Sequence, residues 1–354
     1  ILLLVFLVGG CSSVPPQIGV NFAYSYREGV APARVGSLWG VIDEKGEWVI
    51  KPEFAEIGPF SEGLAAAKLP SRKEPSRFGY IDKTGRFVIQ PEFLIALPFY
   101  EGRAGFCSPS SGNDRLFGYL DKTGFHIVSP VFFRGQQFSE GVAFVQYENR
   151  WGVIDLNGRW VIRPKYHEAM MFSEGVAPVK YRGKWGYIDH DDNVVIAFRF
   201  QFAYPFHEEL ALVRFCQRYG FIDKSGNFVI QPKYRKAYSF SGGLAAVQLF
   251  NMKWGYINRE GKFVIGPRYD WARPFSGEYA PVNRGFRVKW DSGRQVWTIG
   301  RYGRWGLIDR TGKLVIPFRF DRMAPPSGDL VRVQEGDSWG YFHIRRKQYV
   351  WRSE

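Results

Sequence analysis

The chain has 354 residues, 45% of them apolar and 18% aromatic, with 40 Gly and 21 Pro. This is enough apolar content to bury a core, which excludes an intrinsically disordered chain, and the Gly and Pro content calls for many turns. A balance of 48 basic to 34 acidic side chains gives +14, which favours anionic partners without naming one.

The N-terminal run ILLLVFLVGG is too short to span a bilayer as a helix, and Cys11, Ser12 and Ser13 follow it directly. A secretory leader ends in this way. With Val8, Gly9 and Gly10 ahead of Cys11, the segment resembles a bacterial lipobox. That resemblance implies a lipoprotein signal over residues 1–11, lipidation at Cys11 and a tether over 12–27. No initiator Met or basic stretch precedes the run, so the sequence reads as truncated at its start. The implied location is the cell envelope, anchored by the N-terminal lipid, facing the periplasm or in the outer membrane. Export removes nucleic acid from the expected partners and promotes envelope anions. Cys107 and Cys216 lie far apart in non-neighbouring repeats and are expected to be small buried apolar residues.

From residue 28 onward the chain repeats itself. An aromatic-Gly pair begins nine copies, at Trp39, Phe78, Phe117, Trp151, Trp185, Tyr219, Trp254, Trp305 and Trp339. The spacings are 39, 39, 34, 34, 34, 35, 51 and 34 residues, a basic period near 34. In each copy a run such as WGYID is joined by D-x-x-G to a run such as KFVI. These are two strands around a tight turn, with Asp bonding the turn backbone and Gly taking positive φ. Asp192 stands for Gly in one turn, and the last copy has His343 for Asp and Arg346 for Gly. Prolines 52, 91, 130, 164, 232 and 267 follow the second run and are expected to end its ladder, because proline has no N–H to give. A short return then leads to F-S-E-G and a third strand such as GVAFVQY.

Both ends of the array carry a complete three-strand meander, so the meander reads as the unit and the proline segment as the linker. Three short strands expose too much apolar surface to stand alone, so units must stack. The pair aromatics and the Phe of F-S-E-G are expected to form the spine between units. Their alternative use is as sugar platforms, but nine copies at one register position favour packing. The Gly of each pair is expected to admit a close neighbour where a Cβ would intrude. These residues resemble the bacterial WG-repeat (KWG-type) proteins over residues 28–352. The resulting expectation is an all-β tandem array of nine ~34-residue β-meander repeats, forming an open β-solenoid in preference to a closed β-propeller, since nine units exceed the usual four to eight blades.

Three insertions interrupt the turn leading into the aromatic-Gly strand, at 70–77, 108–115 and 283–304. The residue before the pair is Arg77, Arg150, Lys184, Arg218, Lys253 or Arg304 in six copies, which predicts one basic edge. Glu62, Glu101, Glu140 and Glu174 of F-S-E-G fall on the opposite edge as repeated caps. The insertion at 283–304 adds Arg284, Arg287, Lys289, Arg294 and Arg301 to Arg304, with Trp290 and Trp297 on a hairpin turning at DSGR. Arg and Trp are enriched at interface centres, although the two Trp side chains also suit simple cross-strand pairing. The basic edge equally suits plain solvated turn residues.

The five His have no metal-ligand spacing, and no nucleophile elbow, phosphate loop or H-E-x-x-H occurs. The expectation is therefore a non-enzymatic envelope lipoprotein with no cofactor and no metal. Its array would offer a binding or scaffold surface to an envelope polymer such as an anionic glycan, or to an envelope protein. The alternative is carbohydrate or cell-wall binding through aromatic grooves.

Overall fold

The computed structural model describes residues 26–71, 76–108, 116–291 and 296–353, with backbone alone over most of 286–302. Cys11, the signal and the tether up to residue 25, Arg294 and parts of the three insertions lie outside the described residues. Two compact units divide the chain, one holding residues 32–42 and 48–205, the other 22–31, 43–47 and 206–354.

Among the described residues the strands form nine antiparallel sheets, eight of four strands and the first of three. Each is a meander of consecutive strands. The fourth sheet runs Arg134–Gly135, Val142–Tyr147, Arg150–Asp155 and Trp160–Tyr166. The return segment is thus a two-residue strand of the same sheet, and the unit is four strands.

The prolines do not end the ladder. Pro164 lies inside Trp160–Tyr166, and the pairing resumes beyond it: Val153 faces Ile162 and Trp151 faces Tyr166. Two residues of travel on one strand oppose four on the other, so Arg163, Pro164 and Lys165 bulge, and the missing proline N–H falls where no ladder bond is required. The pair glycine sits under this bulge. A Cβ on Gly152 would lie 2.6 Å from the Ile162 carbonyl oxygen and 2.8 Å from Pro164 N. All nine pair glycines meet such a carbonyl, from 2.4 Å at Gly79 to 2.7 Å at Gly306. The close neighbour is the bulged backbone of the next strand.

In the D-x-x-G turns, Asp82 Oδ1 accepts from the Thr84 hydroxyl and from the N–H groups of Thr84 and Arg86. The Thr84 bond, followed by the two N–H bonds, holds its carboxyl below the usual range. Asp192, the substitute for Gly, takes φ 68°. Its carboxylate accepts from Tyr166 at 2.5 Å and pairs with Lys165, tying the turn to the preceding sheet.

In the first unit, Trp151 of the fourth sheet packs with Ala169, Phe172 and Ala177 of the fifth. In the second, Trp254 of the seventh sheet packs likewise with Ala272, Phe275 and Ala280 of the eighth. Trp39, Phe117, Trp151, Trp185, Trp254 and Trp339 are buried, and Phe78, Tyr219 and Trp305 half-buried, so the ring of the pair is core. Each buried ring contributes about 1.5–3 kcal/mol against about 1 kcal/mol for a hydrogen bond, so packing joins the sheets and polar links set their register.

Those polar links recur. In four of the F-S-E-G turns the Ser donates to the carbonyl of the Phe position in the next sheet: Ser61 to Phe99 at 2.6 Å, Ser139 to Phe172 at 3.0 Å, Ser241 to Phe275 at 2.7 Å and Ser276 to Pro326 at 2.7 Å. The turn glycine rests on the preceding sheet, Gly85 over Ile50 and Gly124 over Ile89.

An open solenoid is ruled out by these same links. Ser327 of the last sheet donates at 2.8 Å to the carbonyl of Tyr26, which holds the Phe position in YREG of the first repeat. Gly46 of the first repeat rests on Val350 of the last, as Gly85 rests on Ile50. The Tyr26 ring stands edge-on to Tyr341 at 4.8 Å, and its hydroxyl donates to the Asp43 carbonyl at 2.7 Å. The series ends where it begins, and the fold is a nine-bladed β-propeller. Tyr26 and Arg27, placed by sequence in the tether, belong to this closing contact.

Candidate binding edge

The turns entering the aromatic-Gly strands are tight hairpins. Glu148–Asn149, Arg182–Gly183 and Cys216–Gln217 all have positive φ at both positions, the twist that suits two-residue loops. Cys216 therefore stands exposed, where burial was expected, and Cys107 is buried.

Register places the residue before the aromatic-Gly pair directly across from the last residue of the preceding strand. In the fourth, fifth and sixth sheets that partner is aromatic: Tyr147 faces Arg150, Tyr181 faces Lys184 and Phe215 faces Arg218. Within the first unit, Arg150 and Lys184 are exposed, Tyr147 is 40% exposed, and the Arg182 guanidinium lies 5.4 Å from the Tyr181 ring centre. Within the second unit, Arg218 lies 5.3 Å from the centre of the Phe250 ring, which is 58% exposed. A ring beside a cation can stack on an apolar sugar face while the charge meets an acidic group. Sequence reading found the cations and missed Tyr147, Tyr181, Arg182, Phe215 and Phe250. The available signal was an aromatic three residues before the cation.

The other predicted residues are less available. Lys253 pairs with Asp270, and Arg304 with Asp321, each acid lying 17 residues beyond its cation in the same repeat. Arg77 is half-buried, with its Nη1 enclosed and making no hydrogen bond. Arg284 is exposed above Phe318 at 5.1 Å. The insertion extends the eighth sheet as a hairpin whose strands are Tyr279–Asp291 and Val296–Asp309. Its backbone register sets Arg284 opposite Arg304, Arg287 opposite Arg301, Lys289 opposite Thr298, and Trp290 opposite Trp297.

On the other edge, Glu62 receives the Gly102 N–H at 3.0 Å and pairs with Lys122 at 2.9 Å. Burial opposes it, but Lys122 and these N–H bonds hold its carboxyl below the usual range. Glu101 accepts from the N–H groups of Glu140 and Gly141 in the same way. These carboxylates cap neighbouring sheets, as their repetition implied. Among the described residues, no group of three or more His, Cys, Asp or Glu is placed to hold a metal ion.

The chain is similar in fold alone to a crystal structure of a eukaryotic initiation factor, with 11% identity over 93% of this chain and 96% of that one, at a TM-score of 0.63. A computationally designed protein, Ika8, matches at 10% identity over 82% and 96%, with a TM-score of 0.45. BamB from Moraxella catarrhalis matches at 11% over 79% and 95%, with a TM-score of 0.44. No curated protein sequence matches the chain. The model of the WG containing repeat matches eight times, at residues 39–69, 78–108, 117–151, 151–185, 185–215, 219–251, 254–285 and 305–339, beginning at eight of the nine aromatic-Gly pairs. The chain belongs to the WG containing repeat family.

Proposed function

We propose that this WG-repeat β-domain is a non-enzymatic binding module of the cell envelope, exported and anchored through a lipid on Cys11, and that it holds an anionic envelope glycan. The observation that carries the reading is the cross-strand pairing of an aromatic ring with an exposed cation at successive hairpin turns, Tyr147 with Arg150 and Tyr181 with Lys184. Repetition of one pair at the repeat period suits a polymer with a repeating acidic unit. The hairpin that carries Arg284, Arg287 and Lys289 is a second basic element, on the other unit. The paired cations Lys253 and Arg304 contribute less, because Asp270 and Asp321 already meet their charge and compete with the ligand.

The test is co-sedimentation with purified acidic and neutral envelope polysaccharides across salt concentrations. Acidic polymer should bind, and binding should weaken as salt rises through about 0.1 to 1 M, where screening shortens to about 3 Å. Replacing Arg150 and Lys184 with Ser should reduce affinity by roughly tenfold or more, about 1.4 kcal/mol. Replacing Arg284, Arg287 and Lys289 with Ser should weaken binding further without altering the fold. Salt-resistant binding of neutral sugar, lost with Tyr147→Ala and Tyr181→Ala but not with the charge variants, would instead support carbohydrate recognition by the rings alone.

A further inference from the structure

The joint between the last and first repeats departs from the ordinary arrangement at two residues. At an ordinary joint three parts meet: a Glu carboxylate from one sheet, and from the next sheet a glycine N–H and a cation just after the turn acid. Glu62 meets Gly102 and Lys122 in this way. Glu140 accepts from the Gly175 N–H at 3.1 Å, with the His190 imidazole 3.6 Å away. Glu208 accepts from Gly243 at 2.8 Å, with Arg259 3.7 Å away. At the closing joint, Gly328 stands in the place of the Glu, Glu44 in the place of the cation, and Gly29 keeps the place of the receiving glycine.

Both charges of the usual pair are therefore missing or reversed, and a cavity of about 230 Å³ opens there, lined by Arg27, Glu28, Gly29, Glu44, Gly328 and Asp329 among others. Loss of the Glu alone has another outcome. Where Gly242 takes that position the cation remains, and Arg310 reaches the carbonyls of Gly242 and Gly277. Of the lining carboxylates, Asp329 is paired with Arg345 at 2.9 Å, and Glu44 is the one set in the cation's place.

We propose that this cavity binds a small zwitterion of the α-amino-acid type. Its carboxylate would take the Gly29 N–H in place of the missing Glu, and its ammonium would take Glu44 in place of the missing cation. Backbone N–H capture of a carboxylate is an established recognition mode, and the cavity exceeds the ~30 Å³ share of a single water several-fold.

Calorimetric titration of the full chain with glycine, L-alanine and L-glutamate tests this, with acetate and methylammonium as separate half-ligands. At least one amino acid should give a saturable isotherm, with both half-ligands at least tenfold weaker. The double variant Gly328→Glu/Glu44→Lys rebuilds the ordinary joint. Gly328 has φ 56°, which Glu62 and Glu140 adopt at 54° and 56°, so Glu fits the backbone. It should lose amino-acid binding by tenfold or more while melting at or above the parent temperature. Absence of a saturable isotherm with all three amino acids, acetate binding as well as the amino acids, or undiminished binding by the double variant would each overturn the proposal.

Discussion

Gly186→Val is expected to lower the stability of the first unit by about 3 kcal/mol or more. A Cβ at this position would lie 2.6 Å from the Ile196 carbonyl oxygen, 2.8 Å from the Phe198 ring and 3.0 Å from Phe198 N. Two of these neighbours are backbone. They cannot swing aside as a side chain can, because Tyr187 pairs with Ile196 and Trp185 with Phe200 on either side of the bulge. Overpacking costs about 1–3 kcal/mol, and displacing the bulge adds lost ladder bonds at about 1 kcal/mol each. At about 2–4 °C per kcal/mol for a unit of this size, the melting temperature should fall by roughly 6–12 °C. Gly266→Ala is the control, since its Cβ would meet nothing within 4 Å. It should melt unchanged or slightly higher. Unaltered melting of Gly186→Val would contradict the close approach.

Tyr26→Ala is expected to cost about 3–5 kcal/mol, the range for removing a buried aromatic side chain. The ring is 5% exposed, stands against Tyr341 and carries the hydroxyl bonded to Asp43. Tyr26→Phe, which keeps the ring and loses only that bond, should cost about 1 kcal/mol. Denaturant unfolding separates the two. A residue in a solvated tether would give less than about 0.5 kcal/mol for either change, and that result would remove Tyr26 from the core.

Much of the fold was legible because one pattern is written nine times. The aromatic-Gly pair, the D-x-x-G turn and the F-S-E-G turn each report a local requirement: a ring to bury, a carboxylate for turn N–H groups, a backbone at positive φ. Closure was not legible. Ser327 bonds Tyr26 with the geometry by which Ser276 bonds Pro326, so no residue at the joint announces that its partner lies 301 positions back along the chain. Whether identical joints close depends on a small rotation per sheet that no single residue encodes. Tyr in place of Phe in YREG further disguised the first repeat as tether. Prolines misled for a related reason: they were read as ladder stops, whereas the four-against-two bulge absorbs them and explains the glycine opposite. The tyrosines that follow the pair were also missed as links. Tyr80, Tyr119, Tyr187 and Tyr256 each donate to a carbonyl 17 residues on.

At the candidate edge, the cations were legible from their fixed position before the pair, but their availability was not. Lys253 and Arg304 are paired because Asp270 and Asp321 lie 17 residues on, where other repeats have His167 or Gln201. The aromatic partners became visible only with the register, since Tyr147 and Arg150 are three apart in sequence yet directly opposed across a two-residue turn.

Closure is tested most directly by energy transfer between dyes at Lys45→Cys, beside Gly46, and Lys347→Cys, near Val350, with Cys11, Cys107 and Cys216 replaced by Ser. Gly46 rests on Val350, so transfer should be nearly complete in the folded chain and collapse on denaturation. Nine sheets stacked in an open line at about 10 Å each would hold the two dyes roughly 80 Å apart. Weak transfer in the folded state would contradict the closed propeller.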